Sequence, residues 1–346
     1  MNKQFNRFLK ISAFSFLLLC LPILHSCSIQ EAIVAYDIKQ ALVSVPEEGG
    51  IKFTQHSQAG DNIVGPIVKE NSNTDNKVLE WYAAPLIALS PNGKSMAYLA
   101  ENNDFSNLFI KELRGGNKKV QRTFNKDVYD MSFSPDGKKL AFTEHNGSNT
   151  DIKIISSEGG SATRQIAATR GNEVGPIFSK DGKFVYFAAN DGGAYYVWNV
   201  ELDNGIKTQF SEGFTPVMLA DGINMLVTRN NKTTGIGEIW MLDLDKGSET
   251  LILSNPEQGF SSPALSPDGK TIACVGTSPK SKNRPQNLDI FTVKLDGTKL
   301  TQITFHGGHD VSPIWSNDAK SIYMLAQRAN KEGKYNIWQM NVENAL

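Results

Sequence analysis

The sequence predicts an all-β fold, a six-bladed β-propeller built from four-stranded antiparallel blades. Three observations predict it: a turn motif that recurs six times, an apolar stretch after each turn, and a proline at a constant distance before four of the turns. The motifs lie 40 to 50 residues apart, and repeats of that length are typical of propellers and solenoids. They occupy residues 90–93, 134–137, 179–182, 219–222, 266–269 and 316–319.

Each motif has the chemistry of a tight turn, as Ser134-Pro135-Asp136-Gly137 shows. Proline favours the second position, Asp or Asn tolerates the third, and glycine supplies a positive φ at the fourth. We therefore expect each motif to join the first and second strands of a blade. The aspartates could also suggest calcium sites, but successive copies fall on different blades, which favours a turn-stabilising role.

The strand after each turn has three consecutive apolar residues, as in Leu140-Ala141-Phe142. Strict alternation would indicate a sheet with one wet face, whereas a continuous run indicates that both faces are covered. Neighbouring blades would cover a middle strand in this way. The prolines before the turns fit an innermost strand, which has one edge on the central channel, because proline in a sheet is confined to an edge. They are Pro176, Pro216, Pro263 and Pro313.

Six turns imply six blades, but the chain ends too soon after the last turn to complete the sixth. Residues 51–57 have the pattern of an outer strand, so we expect them to pair with residues 334–342 and close the ring. The alternative is a disordered tether. The propeller would then cover residues 51–346, with the polar stretch 57–80 as a loop on its rim.

The N-terminal segment has the features of an export signal. A basic start is followed by an apolar stretch at 11–24 that is short for a membrane span. Leu24-His25-Ser26-Cys27 then resembles the bacterial lipoprotein box, although His25 departs from its usual small or β-branched residue. The resemblance implies a signal peptide at 1–26, a lipidated Cys27 and a tether at 27–50. The alternative is an ordinary signal peptide that leaves Cys27 free.

That resemblance also implies a location. An acylated Cys27 would anchor the chain to a membrane, and Ser28 after it favours the outer membrane. We expect the propeller on the periplasmic side rather than the cell exterior. One cysteine, Cys274, would then remain within the propeller, in an apolar run where a buried small side chain is expected. This excludes a disulfide within the mature chain and a cysteine metal cluster.

Composition excludes one class of partner. The net charge is −1 and charged residues make up 21% of the chain, so no basic stripe indicates a nucleic acid. No motif indicates a cofactor.

The segment Leu300-Thr301-Gln302-Ile303-Thr304, followed by Pro313-Ile314-Trp315-Ser316, resembles the repeats of TolB-like six-bladed propellers. Phe133-Ser134-Pro135-Asp136-Gly137-Lys138 is similar to the same repeat, and the resemblance covers about residues 81–346. It implies a periplasmic propeller that binds other proteins. The chain departs from TolB itself in lacking room for a preceding α/β domain and in having the lipoprotein box. The repeated residues are turn and core positions, so they indicate fold far more than function.

The best candidate site is His306-Gly307-Gly308-His309-Asp310. It lies where an outer strand returns to an innermost strand, which places it at the channel mouth. Carboxylates, histidines and aromatic residues there could hold a cation, a sugar or a basic peptide end. The alternative is that they are rim residues that hydrogen-bond the loop backbone. Equivalent loops contribute Trp81, Tyr82, Asp127, Arg170, Glu173, Glu212 and Gln258.

Three functions fit these observations. The first is a monomeric binding scaffold, with no catalytic residues and no metal, that presents one face to an envelope protein or polymer. The second is a polysaccharide lyase or glycan-binding propeller with a metal near His306 and His309. The third is a detached gate propeller of the prolyl-oligopeptidase type, acting as a sensor. The sequence favours the scaffold, since no catalytic motif is present.

Overall fold

Every regular element in the described part of the chain is a β-strand. The structure is a computed structural model, and it describes residues 47–48, 50–58, 61–66, 69–71, 78–80, 85–114, 118–190, 193–277, 287–328 and 334–343. The predicted signal peptide, Cys27, most of the tether, Trp81 and Tyr82 lie outside these residues. Within them, no helix has the length and apolar character needed to cross a membrane.

The strands form six antiparallel blades and one separate hairpin. Before the first blade come β1 (Glu47–Glu48), β2 (Ile51–Gln55), β3 (Lys69–Asn71) and β4 (Val78–Glu80). Blade 1 contains β5 (Ile87–Leu89), β6 (Ser95–Asn102), β7 (Phe105–Glu112) and β8 (Lys119–Gln121). Blade 2 contains β9 (Val128–Phe133), β10 (Lys139–His145), β11 (Thr150–Ser156) and β12 (Thr163–Ala167).

The next two blades follow the same order. Blade 3 contains β13 (Asn172–Phe178), β14 (Phe184–Asn190), β15 (Tyr195–Glu201) and β16 (Lys207–Glu212). Blade 4 contains β17 (Phe214–Met218), β18 (Asn224–Asn230), β19 (Gly237–Asp243) and β20 (Glu249–Leu253).

Blade 5 contains β21 (Phe260–Leu265), β22 (Thr271–Thr277), β23 (Leu288–Lys294) and β24 (Thr301–Gln302). Blade 6 contains β25 (Asp310–Trp315), β26 (Ser321–Ala326) and β27 (Asn336–Asn341). The first strands of successive blades contact one another in order, and β25 contacts β5. The predicted six-bladed propeller of four-stranded antiparallel blades is therefore confirmed.

The outer part of blade 6 comes from the N-terminal side of the chain. Strand β2 pairs with β27, so that Phe53 lies opposite Met340 and Gln55 opposite Trp338. The short strand β1 then pairs with β2, which gives this sheet five strands instead of four. Residues 47–48, expected in the tether, are therefore in a sheet.

The middle strands form the core, as the apolar triplets predict. Met96, Ala97 and Tyr98 in β6 have no exposed surface, and neither do Leu140 and Phe142 in β10. Burying a large apolar side chain stabilises a fold by about 1.5–3 kcal/mol. Each blade therefore depends on its neighbours for much of its stability.

The turn prediction is also confirmed in detail. Gly137 N–H donates to the Ser134 carbonyl at 2.8 Å, and the φ of Gly137 is 72°. The Ser134 hydroxyl donates to Asp136, which also accepts from Lys138 N–H at 3.0 Å. These bonds, with the Ser134 bond the largest cause, lower the pKa of Asp136. The aspartate stabilises the turn, as expected.

The rim-loop prediction for residues 57–80 is wrong for part of that stretch, since β3 and β4 form a hairpin. The 61–66 segment also packs on blade 1, where Ile63 bridges to Ala100 and Val64 N–H donates to the Leu99 carbonyl. The reason lies in blade 1, because β5 has three residues and pairs only with the start of β6. Ile63 and Val64 take over its pairing with the rest of β6.

Candidate functional site

One face of the propeller carries the loops that return from an outer strand to the next innermost strand. We call it the loop face, and its described loops are 122–127, 168–171, 213, 254–259 and 303–309. The hairpins between the second and third strands lie at the same end of each blade, because the strands are antiparallel. The opposite turn face carries the six sequence motifs.

The two candidate histidines accept hydrogen bonds from backbone N–H groups, His306 within its own loop and His309 from the start of β23. His306 is 4% exposed, and its Nδ1 accepts from Gly308 N–H at 3.1 Å. His309 Nδ1 accepts from Leu288 N–H at 3.2 Å. A neutral imidazole that accepts through Nδ1 carries its proton on Nε2. Nδ1 then accepts a hydrogen bond and Nε2 carries the proton, so in this arrangement neither nitrogen offers a lone pair to a metal ion.

Burial lowers the pKa of His309, and the Asp310 carboxylate acts in the opposite direction. Asp310 itself faces Arg328, whose Nε donates to Oδ1 at 3.1 Å and whose Nη2 contacts Oδ2. Both side chains have no exposed surface. The Arg328 guanidinium also lies 4.1 Å from the centre of the Phe53 ring. Asp310 is therefore half of a buried ion pair that joins β25 to the end of β26 and to β2.

Of the other predicted residues that the structure describes, three bond to their own surroundings on the loop face. Asp127 accepts from Ser106 N–H at 3.2 Å, and Gln258 donates to the Thr277 carbonyl at 2.6 Å. Glu212 forms an ion pair of 3.3 Å with Lys232. Arg170 is exposed. Among the described residues, these contacts do not join the predicted set into one site.

Glu173 differs from the others. It has no exposed surface, and neither carboxylate oxygen has a hydrogen-bond partner. Burial raises its pKa, and the charge of Asp151 raises it further. The hydroxyl and backbone N–H of Thr169 act in the opposite direction, although neither reaches hydrogen-bonding geometry. Sequence inspection placed Glu173 on the channel mouth, and the structure buries it near the start of β13.

A recurring side-chain motif on this face also escaped the sequence analysis. In three blades a hydroxyl just past the outer strand accepts an N–H from the third strand: Thr123 from Leu108 at 2.9 Å, Thr304 from Ile290 at 2.8 Å, and Ser57 from Ile337 at 3.0 Å. A glutamine two residues earlier donates to the carbonyl of the same residue at 2.8–3.1 Å. We call this arrangement the hydroxyl clasp. The glutamines are Gln121, Gln302 and Gln55.

Exposed aromatic side chains are the second feature that the sequence analysis missed. Phe124 is 57% exposed and Phe305 is 50% exposed, and each directly follows a clasp hydroxyl. Tyr129 and Tyr196, at the same end of blades 2 and 3, are also exposed. Aromatic side chains are enriched in the cores of protein interfaces, so these four residues make the loop face a candidate contact surface.

The loop face has no described metal cluster. Among the described residues, no group of three or more His, Cys, Asp or Glu side chains could hold a metal ion. A shallow depression of about 500 Å³ lies instead on the turn face, between the turns of blades 1 and 2. Turn residues such as Pro91 and Asp136 line it. Cys274, also described, is a free thiol buried in the core, as expected.

Comparison with known proteins gives the family. The family model described as the TolB beta propeller domain matches residues 71–272, which is more than half of the chain. The chain belongs to the TolB β-propeller family. The resemblance noted in the sequence is thus confirmed by an independent match.

Individual relatives are distant. The Tol-Pal system protein TolB of Francisella tularensis subsp. mediasiatica is 26% identical over 254 residues, which cover 70% of this chain and 55% of that protein. The uncharacterized peptidase YuxL of Bacillus subtilis is 26% identical over 209 residues, which cover 58% of this chain and 31% of that protein. These matches therefore span between a third and about half of the length of those relatives. A solved TolB structure from Agrobacterium tumefaciens, 18% identical, superimposes with a TM-score of 0.55 over 76% of this chain and 94% of that one, which shows the fold alone.

Proposed function

We propose that this chain is a lipid-anchored envelope propeller that binds a protein partner through the loop face, without catalysis. The observation that carries the proposal is the set of exposed aromatic side chains on that face, led by Phe124 and Phe305. Aromatic residues are enriched at protein interfaces and provide most of the binding free energy at hot spots. Family membership supports a role in the envelope.

The polar residues of the loop face support binding rather than catalysis. His306 and His309 hold backbone N–H groups, and Asp310 is committed to Arg328. A general base or a metal ligand needs a nitrogen or oxygen that is available to substrate or metal. The geometry at His306 and His309 therefore gives no support to a lyase.

The membrane anchor is the part of the proposal that rests on sequence. Acylation of Cys27 after removal of residues 1–26 would place the propeller beyond a tether of about twenty residues, on the periplasmic side of the outer membrane. A tethered propeller can present the loop face to a neighbouring envelope protein without being fixed in orientation.

In-cell photo-crosslinking tests the binding part of the proposal. A photoreactive amino acid would replace Phe124 or Phe305 on the loop face, and Lys138 or Lys270 on the turn face as matched exposed controls. We expect one specific protein adduct from the loop-face positions. With the photoreactive residue placed at Tyr129 instead, Phe124→Ser and Phe305→Ser should each lower the yield of adduct by about tenfold or more. Ile223→Ser on the turn face should leave that yield unchanged.

Fractionation of the same cells should find the wild-type chain with the outer membrane and the Cys27→Ser chain in the soluble fraction. Adducts that form equally from both faces, or none from the loop face, would contradict the binding proposal. A Cys27→Ser chain that stays with the membrane would contradict the anchor.

A further inference from the structure

The loop-face end of the junction between blades 1 and 2 carries acidic side chains from both blades. Glu101, exposed near the end of β6, lies opposite Ser106 of β7, so the two side chains are on the same face of blade 1. Ser106 N–H donates to Asp127 at 3.2 Å, and its hydroxyl donates to the Val128 carbonyl at 2.9 Å. Ser106 thus brings Glu101 and Asp127 to one junction. Asp104 adds an exposed carboxylate in the same hairpin.

Blade 2 contributes two further acids to this junction. Glu144 of β10 pairs with Asp151 of β11, so both side chains lie on one face of the blade. Phe142, two residues before Glu144, is on the same face and belongs to the core shared with blade 1. Asp151 is therefore directed towards blade 1. It is 5% exposed, and Asn146 donates to its Oδ2 at 2.8 Å, while its Oδ1 has no hydrogen-bond partner.

The cations at the junction do not balance these acids. Lys126 and Lys153 donate to the same oxygen, Glu144 Oε1, at 3.0 and 2.7 Å. No ion pair among the described residues includes any of the other four acids. Five carboxylates against two ammonium groups leave a net charge of −3. At the end of blade 3, by contrast, Glu212 has Lys232 at 3.3 Å.

Exposed aromatic side chains border the same junction. Phe124 lies in the loop that ends at Asp127, and Tyr129 follows two residues later, its ring 6.1 Å from that of His145. Burial raises the pKa of Tyr129, and the charge of Asp127 raises it further, so this carboxylate acts on the phenol. Aromatic rings beside carboxylates suit lysine and arginine side chains.

The acids are spread along the junction instead of converging on one point. Among the described residues, no group of three or more His, Cys, Asp or Glu side chains could hold a metal ion. An extended ligand with several positive charges fits this arrangement better than a single ion.

We propose that the partner docks a basic protein segment, rich in arginine and lysine, on the junction of blades 1 and 2. This inference rests on the proposed function and specifies the partner's chemistry. The cations of the segment would meet Glu101, Asp104 and Asp127, and its side-chain stems and guanidinium planes would pack on Phe124 and Tyr129. Charge complementarity of this kind speeds encounter and selects the partner.

Asp151 supports the inference independently. A buried carboxylate oxygen without a donor is disfavoured, and Lys153, on the same face of β11, is committed to Glu144. A positive charge placed over the junction would stabilise the Asp151 carboxylate through the poorly screened interior, without touching it.

A charge-changing pair of substitutions tests the inference. Glu101→Lys with Asp104→Asn alters exposed acids, and asparagine tolerates the positive φ of 63° at position 104. The control is Glu158→Lys with Asp203→Asn, which makes the same change in charge at exposed positions of the turn face. With a photoreactive residue in place of Phe124, we expect the in-cell adduct to fall about fivefold or more in the loop-face pair and to stay within about twofold in the control.

A peptide probe gives the second measurement. A fluorescein-labelled peptide of Arg-Gly repeats should bind the purified wild-type chain, and a peptide of Glu-Gly repeats should not. The loop-face pair should weaken binding of the Arg-Gly peptide by about tenfold, as should raising NaCl from 50 to 300 mM. The control pair should bind it as the wild type does.

Two results would overturn the inference: equal binding of the Arg-Gly peptide by the wild type and the loop-face pair, or an adduct from position 124 that is unchanged or stronger in that pair. A loop-face adduct that is indifferent to these charges would leave the proposed function standing. Failure of every loop-face position to form an adduct would instead contradict the proposed function, while the peptide titration still measures the junction by itself.

Discussion

At the scale of single residues, the direction of a lone pair decides what a side chain can do. His306 and His309 form the best metal-binding pattern in the sequence, yet each directs Nδ1 at a backbone N–H. The sequence shows residue type and spacing, while the rotation of each ring depends on a loop that contains two glycines. The sequence therefore identified the histidines and left two roles open, and hydrogen bonding to backbone N–H groups was one of them.

The burial of His309 has a measurable consequence. Its pKa is lowered in the folded chain, so the unfolded chain binds the proton more tightly. The stability that this neutral ring contributes is therefore present above pH 6.5 and is lost as pH falls below that value. His309→Asn keeps an acceptor for Leu288 N–H but cannot be protonated.

We expect urea unfolding at pH 7 and pH 5 to show a smaller loss of stability for His309→Asn than for the wild type. Burial also lowers the pKa of His56, so part of the pH dependence of stability would remain in both chains. His145→Asn serves as the control for removing a histidine. If His309→Asn lost as much stability as the wild type between pH 7 and pH 5, the buried neutral ring of His309 would not be a source of the pH dependence.

At the scale of elements, the turn motif and the hydroxyl clasp close opposite ends of a blade. The turn joins the first and second strands through bonds within six residues, such as Ser134 to Asp136 and Lys139 to Ser134. The clasp joins the outer and third strands through residues up to 280 positions apart, as Ile337 and Ser57 are. Both satisfy backbone groups that would otherwise be buried without partners.

Thr304→Val tests the clasp. The change keeps the shape of the side chain but removes the acceptor for Ile290 N–H, which then lies buried and unpaired. We expect a loss of about 1–3 kcal/mol in the free energy of unfolding, measured by urea denaturation. Thr301→Val, at an exposed position of β24, should change stability by less than about 0.5 kcal/mol. Equal effects would show that the hydroxyl does not matter.

The turn motif and the hydroxyl clasp also differ in how far the sequence predicts them. Ser134, Pro135, Asp136 and Gly137 act on one another, so the sequence alone predicts their turn. The clasp needs the register between strands that are distant in sequence, and its hydroxyl is Thr in two blades and Ser in a third. The packing of residues 61–66 on blade 1 was missed for a similar reason, because Ile63 supplies part of the pairing of an innermost strand from outside the repeat.

At the scale of the whole molecule, stability depends on joining the two ends of the chain. Ile51 and Phe53 of β2 are almost fully buried against blade 6. Lys111, also buried, lies 3.8 Å from Asp61 and contacts the His56 carbonyl. The residues that follow β2 therefore also fasten to blade 1.

Removing β2 should weaken the entire ring. A chain that starts at residue 59 loses the burial of Ile51 and Phe53, about 1.5–3 kcal/mol each, and exposes the edge of β27. We expect a much lower unfolding midpoint and a tendency to self-associate through that edge, measured by calorimetry and light scattering. A chain that starts at residue 47 is the control and should match the longer chain. Equal stability of both truncations would contradict a propeller that begins at residue 51.

Because β2 finds its neighbour near the opposite terminus, the ring has a fixed order of assembly. The hydrogen bond from Gln55 to Asn336, 281 positions later, can form only after Asn336 has left the ribosome. Contacts of such long range form slowly, so the first five blades must remain soluble as an open arc during synthesis. A chain truncated before β27 would leave that arc with two uncovered sheet edges, so the pairing of β27 with β2 is the step that closes the ring.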